Sequence, residues 1–173
     1  VVLCGFSMGG YVAFEFLRRW RHRVRALVLV STRAEADTME GRRARDGAAV
    51  LARESGAGAI ADSMLARMFT PATIHGSPGL VERTRAMMAA TPVAGIAGAL
   101  AAMRDRPDSM ELLPSLEGIP ALVIVGEEDQ LTPPDRARAM AEAIPDARLV
   151  VIPGAAHLTT MERAKETTAA VKD

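Results

Sequence analysis

Four short apolar runs stand out along the chain: Val1–Phe6, Ala26–Ser31, Ala121–Gly126 and Arg148–Ile152. Each is rich in Val, Ile and Leu, lacks polar alternation, and stops at a turn residue or a polar cluster. That is the pattern of strands buried on both faces of a parallel sheet. Between the runs the spacing changes. From Gly9 to about Trp20, Val12, Ala13, Phe16 and Leu17 recur at helical intervals. Thr132-Pro133-Pro134-Asp135 has the form of a capping box with prolines in the first turn, and predicts a helix to about Ala143. Strand, helix and strand in alternation predict an α/β fold with a parallel sheet.

The interval from Thr32 to about Gly118 breaks that rhythm and contains no expected strand. Gly41–Ser55, Gly58–Phe69, Leu80–Ala90 and Ala94–Arg104 are rich in Ala, Met, Leu, Arg and Glu. Breaks fall at Thr70-Pro71, at Gly76-Ser77-Pro78-Gly79 and at Thr91-Pro92. The expectation is a helical cap of residues 33–117 inserted between two strands, with 1–32 and 118–173 forming the core. Its short helices and its glycines suit a cap that can move.

Composition narrows the function classes. The 173 residues are 49% apolar and 24% charged, the balance of a globular protein able to fill a core. Lys+Arg and Asp+Glu are equal at 21 each, so no global field favours nucleic acid or a membrane surface. Aromatics are only 3%, too few for a base-stacking platform. Arg18, Arg19, Arg21, Arg23 and Arg25 cluster near a helix end, where the dipole favours cations, and read as a solvated face. No apolar run approaches the ~20 residues of a spanning helix, and nothing resembles a signal peptide, so the expected setting is cytoplasmic. The single cysteine, Cys4, excludes an intrachain disulfide and reads as a small core residue. The methionines of the insertion (Met64, Met68, Met87, Met88 and Met103) read first as core and second as an adaptable acyl pocket.

The candidate chemistry begins at Gly5-Phe6-Ser7-Met8-Gly9, which fits G-x-S-x-G between an apolar strand and an amphipathic helix. Such a sharp turn crowds the residues two before and two after the serine, so glycine is wanted at both. It also holds the serine Oγ clear of the backbone and points the Met8 N–H to where an oxyanion would form. A phosphate loop is the competing reading, but the lysine and the glycine spacing it needs are lacking. A serine hydroxyl needs a base, and the base an orienting acid. The third run ends in Gly126-Glu127-Glu128-Asp129 and the fourth in Pro153-Gly154-Ala155-Ala156-His157. Both acid and histidine therefore fall past the carboxyl ends of strands, where α/β sheets gather their chemistry. Asp129 is preferred over Glu127 and Glu128 because it lies farthest into the loop. His157 is preferred over His22 and His75, which sit in a basic helix end and a Pro/Gly loop.

"GFSMGG", "LVLVSTRAEAD", "RPDS", "LVIVGEEDQLTPP" and "RLVVIPGAAHL" together resemble the α/β-hydrolases, in particular their enol-lactonase-like and small carboxylesterase branch. The resemblance implies Ser7 as nucleophile, Asp129 as acid, His157 as base and the insertion as lid, with a small ester or lactone as substrate. It implies no metal and no organic cofactor. Carbon–carbon bond hydrolysis, perhydrolysis, acyl transfer and non-catalytic ligand binding share the same architecture. Three departures accompany it: Ala156 where glycine is frequent, Arg163-Ala164 within the usual Glu-x-Pro helix start, and an elbow at residue 7. The last predicts a C-terminal portion of the fold, with about four strands and a second oxyanion donor expected ahead of the elbow and the first strand's edge exposed.

Overall fold

A computed structural model describes residues 1–172. The four expected strands form β1 (Val2–Phe6), β2 (Ala26–Val30), β3 (Ala121–Gly126) and β4 (Arg148–Ile152), all parallel and in that order across one sheet. The helices are α1 (Met8–Trp20), α2 (Met39–Met68), α3 (Pro71–Gly76), α4 (Pro78–Ala89), α5 (Val93–Asp105), α6 (Pro134–Ala143), α7 (Thr159–Glu162) and α8 (Ala164–Lys172). The chain divides into two compact units, one of Val1–Glu35 with the chain from Asp108 onward, the other Ala36–Pro107.

In the first unit the strands are apolar throughout because each face has its own core. Alternate residues point to opposite faces. Leu27, Leu29, Ala121, Val123 and Val125 face Phe14 and Leu17 of α1, Ala137 and Met140 of α6, and Leu113 and Leu116 of a 3-10 segment at Met110–Leu116. Val28, Val30, Ile124 and Ile152 face Ala155 and Ala170 of α8. Burying one such Val, Leu or Ile side chain contributes about 1.5–3 kcal/mol, which is why the sheet tolerates so few polar positions.

Several expectations need correction. Cys4 is exposed, not core: it lies with Val2 on the second face of the edge strand β1, beyond the α8 cluster. Thr132-Pro133-Pro134-Asp135 is not a capping box, since α6 starts at Pro134 with Pro133 as an N-cap that offers no side-chain bond. The Thr132 hydroxyl is engaged elsewhere. Arg18 and Arg21 of the basic cluster are not merely solvated. Arg18 donates to the Asp108 carbonyl and to Ser109 Oγ, both at 2.7 Å, and Arg21 to the Glu117 carbonyl at 2.8 Å, pinning the end of α1 to the segment that leads into β3.

The second unit is all helical, and α2 packs against α4 and α5. The two expected helices at 41–55 and 58–69 are the two halves of α2, separated by a kink at Gly56, whose φ of 80° only glycine adopts without strain. α3 went unpredicted because Thr70-Pro71 reads as a break; Thr70 is in fact its N-cap, its Oγ1 accepting from the Thr73 N–H. The interior combines small residues (Ala49, Ala52, Ala57 and Ala61) with Ile60, Leu65, Phe69 and Leu100. Of the five methionines none is buried; Met87 is the most exposed, at 61%. Arg85–Asp62 at 2.6 Å and Arg104–Asp46 at 2.7 Å tie α4 and α5 to α2.

A buried ion group closes the ends of this unit. The Asp37 side chain, fully shielded, pairs with Arg106 at 2.9 Å and Arg45 at 3.0 Å. Burial alone would raise its carboxyl, but the hydrogen bonds and charges of the two arginines outweigh it and hold it below the usual range. Removing one partner of a buried pair strands the other charge, so Arg106→Leu should cost about 3 kcal/mol in urea melts. The lowered carboxyl contributes stability that is complete above about pH 4 and is lost as pH falls through the folded value. Asp37→Asn should therefore weaken the acid sensitivity of the melt, and an unchanged pH dependence would contradict this role.

Candidate active site

β1 ends at Phe6 and α1 begins at Met8, so a single residue turns the chain. Ser7 does so at φ 50°, ψ −116°, a region that costs a non-glycine residue about 1–3 kcal/mol. The surroundings hold it there. Its N–H donates to Val30 O at 2.9 Å, and its carbonyl accepts from Gly10 N at 2.9 Å and Thr32 Oγ1 at 2.8 Å. A Cβ on Gly5 would come within 2.6 Å of Gly9 O and 2.8 Å of Gly10 Cα. One on Gly10 would overlap the buried Thr32 side chain. One on Gly9 meets nothing within 4 Å among the described residues, so the expected demand at that position is met by Gly10 instead. The strand crowds the backbone of the first helical turn, not the outward side of Gly9. As the first residue of α1, Met8 has an N–H with no intrahelical acceptor.

The turn aims Ser7 Oγ at His157 Nε2, 2.8 Å away. His157 Nδ1 lies 2.9 Å from Asp129 Oδ2. Acid and base are each about 3% exposed. An ionised carboxylate only accepts, so Nδ1 carries the proton and Nε2 is left to accept from the serine hydroxyl. The Phe6 ring, its centroid 5.3 Å from that of the imidazole and tilted by 51°, packs beside it.

Asp129 is bound from several sides. Oδ1 accepts from the N–H groups of Leu131 at 2.8 Å and Thr132 at 2.9 Å; Oδ2 accepts from Thr132 Oγ1 at 2.7 Å as well as from His157. Burial pushes the carboxyl up, but the bond to and charge of His157, with the Thr132 bonds, outweigh it and keep Asp129 below the usual carboxylate range. The carboxylate is therefore charged at neutral pH.

The histidine loop is fastened to the acid loop by backbone. Glu127 N donates to Ile152 O at 3.0 Å and Glu128 N to Ala155 O at 2.9 Å. Any side chain at Gly126 would collide with the carbonyls of Ala155 and Ala156. From the other side Glu162 Oε2 accepts the Ala156 N–H at 2.6 Å. Thus Ser7, Asp129 and His157 come together, with Met8 next to Ser7 in the chain, whereas Glu127 and Glu128 point outward and His22 and His75 are exposed. Glu127 makes only a 3.4 Å contact with Gly154 N, and His75 Nδ1 bonds Pro71 O at 2.7 Å. The reading of the sequence missed Gly10, Thr32, Gly126, Thr132 and Glu162. Only the Asp129-x-x-Thr132 spacing offered a signal, because Asp and Thr three apart often cap each other's backbone. Among the described residues no group of three His, Cys, Asp or Glu side chains converges to hold a metal.

The matching family, described as the alpha/beta hydrolase fold, covers residues 1–164. The chain belongs to the α/β-hydrolase fold family. A thermophilic esterase from Thermogutta terrifontis superposes with a TM-score of 0.95 at 42% identity over 99% of this chain and 63% of that one. The enol-lactonase from Burkholderia xenovorans LB400 gives 0.88 at 33% identity, over 98% and 63%. The 3-oxoadipate enol-lactonase 2 of Acinetobacter baylyi is 30% identical over 162 residues, 92% of this chain and 58% of that protein. This α/β-hydrolase chain thus spans about three fifths of the length of these relatives.

The glycines of the elbow provide a direct check. Gly5→Ala and Gly10→Ala should each lower stability by about 1–3 kcal/mol through overpacking. Gly9→Ala should stay within about 0.5 kcal/mol of wild type, since it sits in a helix with open space. Thermal melts of the three variants separate these outcomes; equal losses at all three would contradict the packing described.

Proposed function

We propose that the protein is a serine hydrolase that cleaves a small carboxylic ester or lactone through an acyl-enzyme. The reading rests on one observation above all: an elbow serine 2.8 Å from an imidazole that is itself 2.9 Å from a buried, ionised carboxylate. Resemblance to an esterase and to enol-lactonases supports the substrate class.

In this mechanism His157 Nε2 takes the Ser7 proton as Oγ attacks the acyl carbon. The carbonyl π pair moves onto oxygen, and the Met8 N–H donates to that oxyanion with the positive end of α1 behind it. Collapse expels the alkoxide, which takes the proton from Nε2; in a lactone the same step opens the ring and leaves the alcohol tethered. Asp129 holds the imidazole by Nδ1 and stabilises its cationic form without taking the proton. Water then gives a proton to Nε2 and attacks the acyl carbon. Ser7 leaves with that proton, and the carboxylic acid is released.

Hydrolysis of short-chain p-nitrophenyl esters and simple lactones by the complete protein tests the proposal. Ser7→Ala and His157→Ala should each lower kcat by about 10⁴-fold or more, and Asp129→Asn by about 10⁴-fold. Wild-type turnover in Ser7→Ala would overturn the assignment.

A further inference from the structure

We propose that Thr132 is a positioning residue for the Asp129–His157 pair, its hydroxyl holding the carboxylate in the one orientation that presents Oδ2 to the imidazole. The inference rests on the triad reading above and adds a residue to it.

The geometry begins with a freedom that the carboxylate must lose. The terminal torsion of an aspartate is broad and nearly two-fold, so a single anchor does not fix its plane. The N–H groups of Leu131 and Thr132 both bond Oδ1, at 2.8 and 2.9 Å, and locate that oxygen only. On Oδ2 the Thr132 hydroxyl, 2.7 Å away, is the other partner besides His157 itself. Its oxygen is also 3.4 Å from His157 Nδ1. A hydroxyl has one proton, and the carboxylate can only accept, so the Thr132 proton goes to Oδ2. The hydroxyl lone pairs then face the side from which the Nδ1–H approaches. Thr132 thus grips both oxygens of the acid, one by its backbone and one by its side chain, and borders the imidazole.

The hydroxyl is buried and serves the acid, not the following helix: α6 begins at Pro134 with Pro133 as its N-cap, so Thr132 lies outside the capping position and its side chain is committed to Asp129.

The test compares Thr132→Val, which keeps shape and the backbone N–H but removes the hydroxyl, with Thr132→Ser, which restores it, in the complete protein. The positioning role predicts that Val lowers kcat for a short p-nitrophenyl ester about tenfold with KM unchanged, and that Ser recovers the rate to within about threefold. It also predicts a shifted or broadened low-field proton resonance of His157 Nδ1–H in Val and its return in Ser. If Val does not fold, Thr132→Ala is read in the same way. A folded Val variant with wild-type kcat and an unmoved resonance would overturn the proposal, even if its melting temperature fell. Wild-type protein without esterase activity would instead overturn the hydrolase reading. The resonance, measured in the resting protein, still decides on Thr132 in that case.

Discussion

The site depends on one unfavourable backbone conformation. Ser7 turns the chain from strand to helix in a single residue at positive φ, and the rest of the rim is arranged around that turn. The strain is balanced locally, by the Ser7 N–H on β2, by Thr32 on the Ser7 carbonyl, and by two glycines that allow strand and helix backbones to touch. A relaxed turn would need more residues and would leave Oγ free to wander. Here the main chain sets Ser7 at the strand–helix junction, and its Oγ lies 2.8 Å from the base.

The parallel sheet supplies the other half of the arrangement. Because all four strands run in one direction, the ends of β1, β3 and β4 fall on one rim, and residues 150 positions apart in sequence meet at hydrogen-bond distance. The acid and histidine loops do not rely on side chains to find each other. Their backbones are bonded across the end of β3, and Gly126 is bare because the histidine loop passes over it. The carboxylate between them is buried yet ionised, since four hydrogen bonds replace the water it loses.

Much of this was legible in the sequence, for physical reasons that differ from element to element. The strands were visible because both faces of the sheet are covered, which turns alternation into continuous apolar runs. Ser7, Asp129 and His157 were visible as candidates because each lies in the loop just past the end of such a run, and G-x-S-x-G carries a steric requirement in its spelling. Thr132 was obscured by its own context: Thr-Pro-Pro-Asp satisfies the local rule for a helix start, whereas its hydroxyl bonds the Asp129 carboxylate three residues back. Cys4 was misread because apolar strands imply two covered faces, a condition that an edge strand meets only in part. The helix α3 fell where glycine and proline signals are ambiguous between stopping a helix and starting one, whereas the break in α2 at Gly56 lies in the gap expected between 41–55 and 58–69.

The most direct test of the central claim is to treat the complete protein with a fluorophosphonate and locate the adduct by peptide mass spectrometry, with His157→Ala as control. The account predicts a single stoichiometric adduct on Ser7 that forms at least about 100-fold more slowly without the imidazole. A folded protein that takes no adduct, or that labels Ser7 equally well without His157, would contradict it.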